Sequence, residues 1–329
     1  MIQFKRNRRL RVSPAMRHLV QENQVTPKDF IYPLFIEEGS QSRTPIGALP
    51  GQFRLTLDLL ADEAKEIAAL GIPAVLLFVK VPDELKDNQG KEALNPNGLM
   101  QRAIREIKSA APELLVMTDV ALDPYSIYGH DGIVEQGQVQ NDATIEVLGQ
   151  MGLSHAQAGA DVLAPSDMMD GRIAKIRQSL ETQGYSDTGI MSYSAKYASA
   201  YYGPFREALD SAPVDEKGIP KDKSTYQMDS ANVKEALRET QMDIDEGADI
   251  VMVKPGMPYL DIVRSLATQI HTPIAVYQVS GEYAMLKAAA EKGWLNHDEV
   301  MLEQLLAFKR AGASMIATYH AKDASRLLG

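Results

Sequence analysis

The chain has 329 residues, 45% of them hydrophobic, no cysteine, and a formal net charge of -10 at pH 7. This excludes disulfides and thiolate metal sites, leaves oxygen and imidazole ligands for any metal, and argues against a nucleic-acid coat. No run reaches the ~18–20 unbroken apolar residues of a membrane helix and the start lacks an apolar signal core, so a cytoplasmic address is expected.

The opening MIQFKRNRRLRVS is basic, and the first 30 residues read as an N-terminal arm that packs against protein rather than as a targeting or RNA-binding segment. The first strand is FIYPLFI (30–36). After it, one join recurs: a helical stretch ends in Gly-Ala or a close relative, and a β-rich run follows at once. It occurs in ALGIPAVLLFV (69–79), QAGADVLAP (157–165), DEGADIVMVKP (245–255) and RAGASMIATY (310–319). LLVMTDVAL (114–122), GIMSYSA (189–195) and PIAVYQVS (273–280) complete eight candidate strands. Stretches of helical period lie between them, such as LTLDLLADEAKEIAAL (55–70) and LMQRAIREIKSA (99–110).

Eight alternations of strand and helix predict an α/β TIM barrel, (β/α)8, over residues 31–329. A doubly wound sheet is the competing fold, but no glycine-rich dinucleotide turn follows the first strand. The stretch 200–228 is long for a connection and mixes aromatics, charges, Gly and Pro, which predicts an active-site lid. No linker divides the chain.

In such a barrel, reactive groups stand at the carboxyl ends of the strands, and side chains alternate faces along each strand. The alternation puts Ile250, Met252 and Lys254 on one face, Ser192, Ser194 and Lys196 on another, and Leu115, Met117 and Asp119 on a third. Val162, Ala164 and Ser166, and Met315, Ala317 and Tyr319, do the same for two more strands, and Asp123 and Asp131 lie just beyond Asp119. Two lysines thus meet polar groups at one rim. A free lysine, with pKa ~10.4, is almost wholly protonated at pH 7, whereas an amine nucleophile works best with a value of ~7–8. Desolvation at the barrel mouth and a second ammonium nearby both lower it, which points to Schiff-base chemistry on a ketone or aldehyde.

Several stretches resemble porphobilinogen synthase, the 5-aminolevulinate dehydratase family: DVALDPYSIYGHDG (119–132), APSDMMDGR (164–172), MSYSAKYAS (191–199), YYGPFR (201–206), MVKPG (252–256) and AVYQVSGEYAM (275–285). The resemblance covers nearly the whole chain. It implies condensation of two 5-aminolevulinate molecules to porphobilinogen for haem and related tetrapyrroles. It also implies a TIM barrel whose arm grips a neighbouring subunit, in a homo-octamer. By motif, Lys254 would carry the Schiff base of the substrate that becomes the propionate-bearing half, and Lys196 that of the other. Ser280 and Tyr319 would meet the first substrate's carboxylate, with Tyr277 near the ring. Arg206, Lys223 and Gln227 would meet the second, Tyr202 and Phe205 would wall the pocket, and Ser166 would lie near the reacting atoms.

Zinc-using members of the family carry three cysteines in the segment matching 119–132, where this chain has Ala121, Asp123 and Asp131. The resemblance is therefore to the zinc-independent, magnesium-responsive branch, with no active-site zinc expected. Asp119, Asp123 and Asp131 would orient the second substrate's amino group, accept protons or hold a hard cation through water. An allosteric Mg²⁺ between subunits would be held by Glu239, in LRETQMDIDEGAD (237–249). Two other functions compete: a class I aldolase or related lyase, for which one lysine suffices, and a non-catalytic barrel that binds a partner.

Overall fold

The computed structural model describes residues 5–329. Eight parallel strands form its centre: β1 (Phe30–Glu37), β2 (Ala74–Lys80), β3 (Leu115–Val120), β4 (Val162–Pro165), β5 (Gly189–Lys196), β6 (Ile250–Lys254), β7 (Ile274–Gln278) and β8 (Met315–Thr318). Each pairs with its sequence neighbours, and β8 returns to β1 through Phe30↔Ile316 and Ile31↔Ala317, which closes the barrel. The predicted TIM barrel is thus the observed fold, and the doubly wound alternative is excluded by that closure.

The Gly-Ala joins do what the sequence requires. Gly159 (φ 106°) and Gly312 (φ 121°) end their helices in a backbone conformation that disfavours a Cβ, and the chain turns directly into β4 and β8. At Gly312 a Cβ would also lie 2.4 Å from Ala267 Cβ, so the join is closed to any larger residue.

Alternation along the strands produces two apolar layers. Ile31, Phe35, Leu76, Phe78, Met117 and Met252 fill the barrel interior. Val75, Leu77, Val116, Leu163, Val251 and Ile316 face outward against helices that supply Ile67, Ile104, Leu148, Ile176, Val263 and Phe308. The predicted helix over 55–70 is a 3-10 turn, Leu57–Leu59, leading into the helix Leu60–Ala69. Two short hairpins were not anticipated. One pairs Arg43–Pro45 with Phe53–Leu55 and extends the sheet beyond β1, and the other pairs Val134–Glu135 with Gln138–Val139. Strands of two or three residues carry too little alternation to be read.

The predicted arm, 1–30, runs outside the barrel as far as β1, and its first four residues lie outside the described residues. It contains the 3-10 turn Asn7–Arg11 and the helix Pro14–Leu19, whose Ser13 cap accepts a hydrogen bond from Met16 N at 3.2 Å. Neither element buries a side chain within the chain, and Leu10, Val12 and Leu19 are exposed. The long stretch 200–228 includes a helix, Gly203–Leu209, and lies across the carboxyl end of the barrel.

Candidate active site

The mouth of the barrel holds a cavity of about 30 Å³ lined by Asp119, Asp123, Ser166, Lys196, Tyr202, Phe205, Arg206, Ser211, Lys223, Gln227 and Lys254. Ten of the fourteen residues singled out for catalysis or substrate binding meet there; Asp131, Ser280 and Tyr277 contact lining residues directly, and Tyr319 is one step removed, through Tyr277.

Lys254 ends β6 inside the barrel, 6% exposed. Its Nζ is surrounded by aromatic rings, 4.7 Å from the centroid of Tyr277, 4.9 Å from Tyr193, 5.0 Å from Phe205 and 5.3 Å from Tyr202. Among the described residues it makes no ion pair. Burial, reinforced by the Lys196 ammonium and only partly offset by Asp119, pulls its pKa down to about 7. A substantial fraction of Lys254 is therefore the free amine at neutral pH.

Lys196, at the end of β5, stands opposite Lys254 in the register. Its surroundings are ionic. Its Nζ donates to Asp131 Oδ2 at 3.2 Å and to the backbone carbonyl of Ser166. Lys223 reaches in from the lid and donates to Asp131 Oδ1 at 2.6 Å and Asp123 Oδ2 at 3.2 Å. Burial alone would raise the Asp131 carboxyl, but Lys196 and Lys223 outweigh it and hold the group below the ordinary carboxylate range. The same carboxylates raise the pKa of Lys223 despite its burial. Asp119 differs: burial, then the charge of Asp123, pushes it up to about 7.

The face expected for β5 needs correction. Strict alternation would put Ser192, Ser194 and Lys196 together, but the β5–β6 register steps from Val251↔Ser192 to Val253↔Ala195, one extra residue on β5. This bulge turns the strand over. Met191 and Tyr193 face the interior, whereas Ser192 faces out and donates to Asp243 Oδ2 at 2.6 Å on the surrounding helix. Only because of the extra residue does Lys196 point inward as well.

Several supporting residues were missed. Arg172 grips Asp243 with two bonds of 3.1 Å and Ser192 Oγ with a third, and its Nε lies 3.7 Å from Asp167, next to Ser166. This ties the segment after β4 and the middle of β5 to the helix Lys234–Asp245. Glu282 accepts from the backbone N–H groups of Gly256 (3.2 Å), Met257 (2.6 Å) and Val279 (2.6 Å), clamping the segment after Lys254. Burial raises its pKa to about 7. The Asp-Gly-Arg at 170–172 and the buried Tyr193 within β5 were legible only as residue types, since their partners are distant in sequence.

The remaining predicted residues hold the lid and the barrel floor. Ser280 Oγ accepts from Phe205 N at 3.1 Å and donates to Tyr201 O at 3.2 Å. Phe205 inserts its ring edge-on to Phe78, 5.0 Å away. Tyr277 and Tyr319 share a hydroxyl hydrogen bond of 3.0 Å. Gln227 is buried, and its Oε1 has no hydrogen-bond partner among the described residues. Glu239 lies apart, half-buried on the helix Lys234–Asp245, in a cleft of about 830 Å³ that is also lined by Asp170, Asp222, Asp229 and Glu235. Its pKa is raised by burial and then by Asp243.

The family model described as delta-aminolevulinic acid dehydratase matches residues 4–327. The chain belongs to this family. It is 53% identical to the chloroplastic delta-aminolevulinic acid dehydratase of Chlamydomonas reinhardtii, over 98% of this chain and 84% of that protein. The Bacillus subtilis relative of the same name is 47% identical, over 99% of this chain and 98% of its own length. Among solved structures, the porphobilinogen synthase of Toxoplasma gondii, in complex with the product porphobilinogen, superposes with a TM-score of 0.96 at 50% identity. It covers 99% of this chain and 92% of that one.

Proposed function

We propose that the protein condenses two molecules of 5-aminolevulinate, with loss of two waters, to the pyrrole porphobilinogen. The observation that carries this reading is Lys254, a buried amine with its pKa drawn down to about 7, paired in register with a second lysine in a member of the dehydratase family. The free amine of Lys254 adds to the ketone carbon of one substrate, and loss of water from the carbinolamine leaves a Schiff base. Lys196 forms the second Schiff base from within its ionic pocket. Asp119, protonated about half the time near pH 7, is suited to pass protons between the amines and departing oxygen atoms.

The lid supplies the carboxylate contacts. Arg206, Lys223 and Gln227 would take the second substrate's carboxylate, and Ser280 and Tyr319 the first's, after Ser280 exchanges its bond to Phe205 N for the ligand. A cavity of about 30 Å³ has room for roughly one water, so Phe205 and the lid must withdraw before two five-carbon acids can enter.

No active-site zinc is part of this reading, because the chain has no cysteine and the oxygens of Asp131 already accept from two lysines. The Mg²⁺ reading concerns Glu239. The carboxylates of Asp170, Asp222, Asp229, Glu235 and Glu239 in its cleft are hard oxygen donors of the kind that suit a hydrated dication. Such an ion, shared with another subunit, would favour the larger assembly. The exposed arm, with Leu10, Val12 and Leu19 uncovered within the chain, fits a role in gripping a neighbour in that octamer.

The test is to incubate the purified protein with 5-aminolevulinate and Mg²⁺ and measure porphobilinogen, then reduce with borohydride and map adducts by mass. Product together with an adduct on Lys254 is expected. A folded protein that gives neither would refute the reading.

A further inference from the structure

Away from the lysine cavity, two histidines and an aspartate converge where the starts of two helices meet. His297 is the first residue of the helix His297–Ala311, His320 immediately precedes the helix Ala321–Leu328, and Asp323 lies in that last helix's first turn. One ligand atom from each lies within 4.8 Å of the other two. None of the three lines the cavity around Lys254.

His320 is 0% exposed, and neither of its ring nitrogens has a hydrogen-bond partner among the described residues. Buried polar groups are normally paired, and a wholly unpaired imidazole is costly, so the arrangement calls for an explanation. Nε2 of His297 is also buried without a partner, while Nδ1 of the same ring contacts Asp298 Oδ1 at 2.8 Å. A carboxylate on one nitrogen and a free lone pair on the other is the usual preparation of a metal-ligating imidazole. Asn296 fixes the position of His297 by capping the helix, accepting from Asp298 N at 3.1 Å and Glu299 N at 3.2 Å. The two rings meet edge to face with centroids 5.2 Å apart.

We propose that His297, His320 and Asp323 form a binding site for one first-row transition-metal dication, with Zn²⁺ the natural probe. Two imidazoles and one carboxylate make a donor set suited to such ions and poorly suited to Mg²⁺. Bonds of about 2.0–2.1 Å to a tetrahedral ion put its ligands about 3.4 Å apart, so the side chains draw together by roughly 1 Å on binding. Asp323 also lines a cavity of about 190 Å³ together with Lys287 and Arg326. Both of these cations now hold Asp323, Lys287 at 3.2 Å and Arg326 at 3.4 Å, and the ion must compete with them for the carboxylate. The site acts as a clip. It joins the starts of the two helices, with His320 directly following Tyr319, and the Tyr283 ring packs 4.4 Å from His320 and 5.6 Å from Tyr319.

The experiment is equilibrium dialysis of the chelator-treated protein against Zn²⁺ with excess Mg²⁺, alongside thermal unfolding with and without Zn²⁺. The parent is expected to bind one more Zn²⁺ per chain than His297→Ala or His320→Gln, and to gain Tm with Zn²⁺ where His297→Ala gains none. Asp298→Ala, which removes only the outer partner, should bind about 10–100-fold more weakly than the parent. If His320→Gln does not fold, His297→Ala decides alone, because that side chain is at the protein surface, 20% exposed. Equal Zn²⁺ stoichiometry in parent and His297→Ala, or no Zn²⁺ bound by the parent, would overturn the proposal.

Discussion

Lys254 and Lys196 end neighbouring strands and face one another in register, yet the two sides of the barrel mouth treat them in opposite ways. Around Lys254 the mouth offers ring faces, from Tyr193, Tyr277 and the lid. These support a cation weakly, so burial prevails and the amine sheds its proton near pH 7. Around Lys196 the mouth offers a carboxylate from the segment after β3, with Asp131 shared between Lys196 and Lys223. Each side depends on the other, since the charge on Lys196 is the largest contribution after burial to the lowered pKa of Lys254. The pair of amines thus sits in two different settings, an aromatic cage around Lys254 and an ionic pocket around Lys196.

The comparison breaks most completely with Lys254→Met, which keeps the volume but removes the amine. Porphobilinogen formation should fall by at least about four orders of magnitude. The protein should remain folded, because an aromatic cage accepts a thioether readily. The pH dependence of stability should change too. Lys254 is protonated less easily folded than unfolded, so between about 7 and its ordinary 10.5 the unfolded chain binds more protons and the parent gains stability as pH rises. Lys254→Met should lose that gain, as denaturant titrations at pH 7 and pH 10 would reveal.

Next in size is Lys196→Ala, which leaves the buried Asp131 with one ammonium instead of two. Breaking such a pair costs about 3–5 kcal/mol of stability, measurable by urea unfolding. With the neighbouring charge gone, the Lys254 pKa should rise, and the acid limb of its Schiff-base formation should move to higher pH. An unmoved limb would mean that burial alone sets the value.

The smallest effect concerns the distant cleft. Glu239→Gln should bring the ratio of activities with and without Mg²⁺ close to one, and size-exclusion chromatography should show less of the largest assembly in Mg²⁺. A ratio equal to the parent's would remove Glu239 from the magnesium response.

How far these features can be read from the sequence depends on how local their causes are. The barrel was legible because each Gly-Ala join and each apolar run is a local pattern, and β6 is regular enough that Met252 correctly predicts the direction of Lys254. β5 was not, because its bulge is a property of the pairing with β6 and leaves no mark in GIMSYSAK. Tyr193 was therefore overlooked as a wall of the Lys254 cage, while Ser192 was placed in the interior and in fact bonds Asp243. Glu282, Arg172 and the His297–His320 pair depend on partners brought together only by the closed barrel and its helices. The arm and lid were legible as irregular stretches, but the helix Gly203–Leu209 within the lid was not.

The most direct test of the account is the rate of Schiff-base formation at Lys254 with 5-aminolevulinate, trapped by borohydride and followed by peptide mass mapping from pH 5 to 10. The account predicts a rate that reaches half its maximum near pH 7. A rate that keeps climbing toward the ordinary lysine value of 10.5, or label that never appears on Lys254, would contradict it.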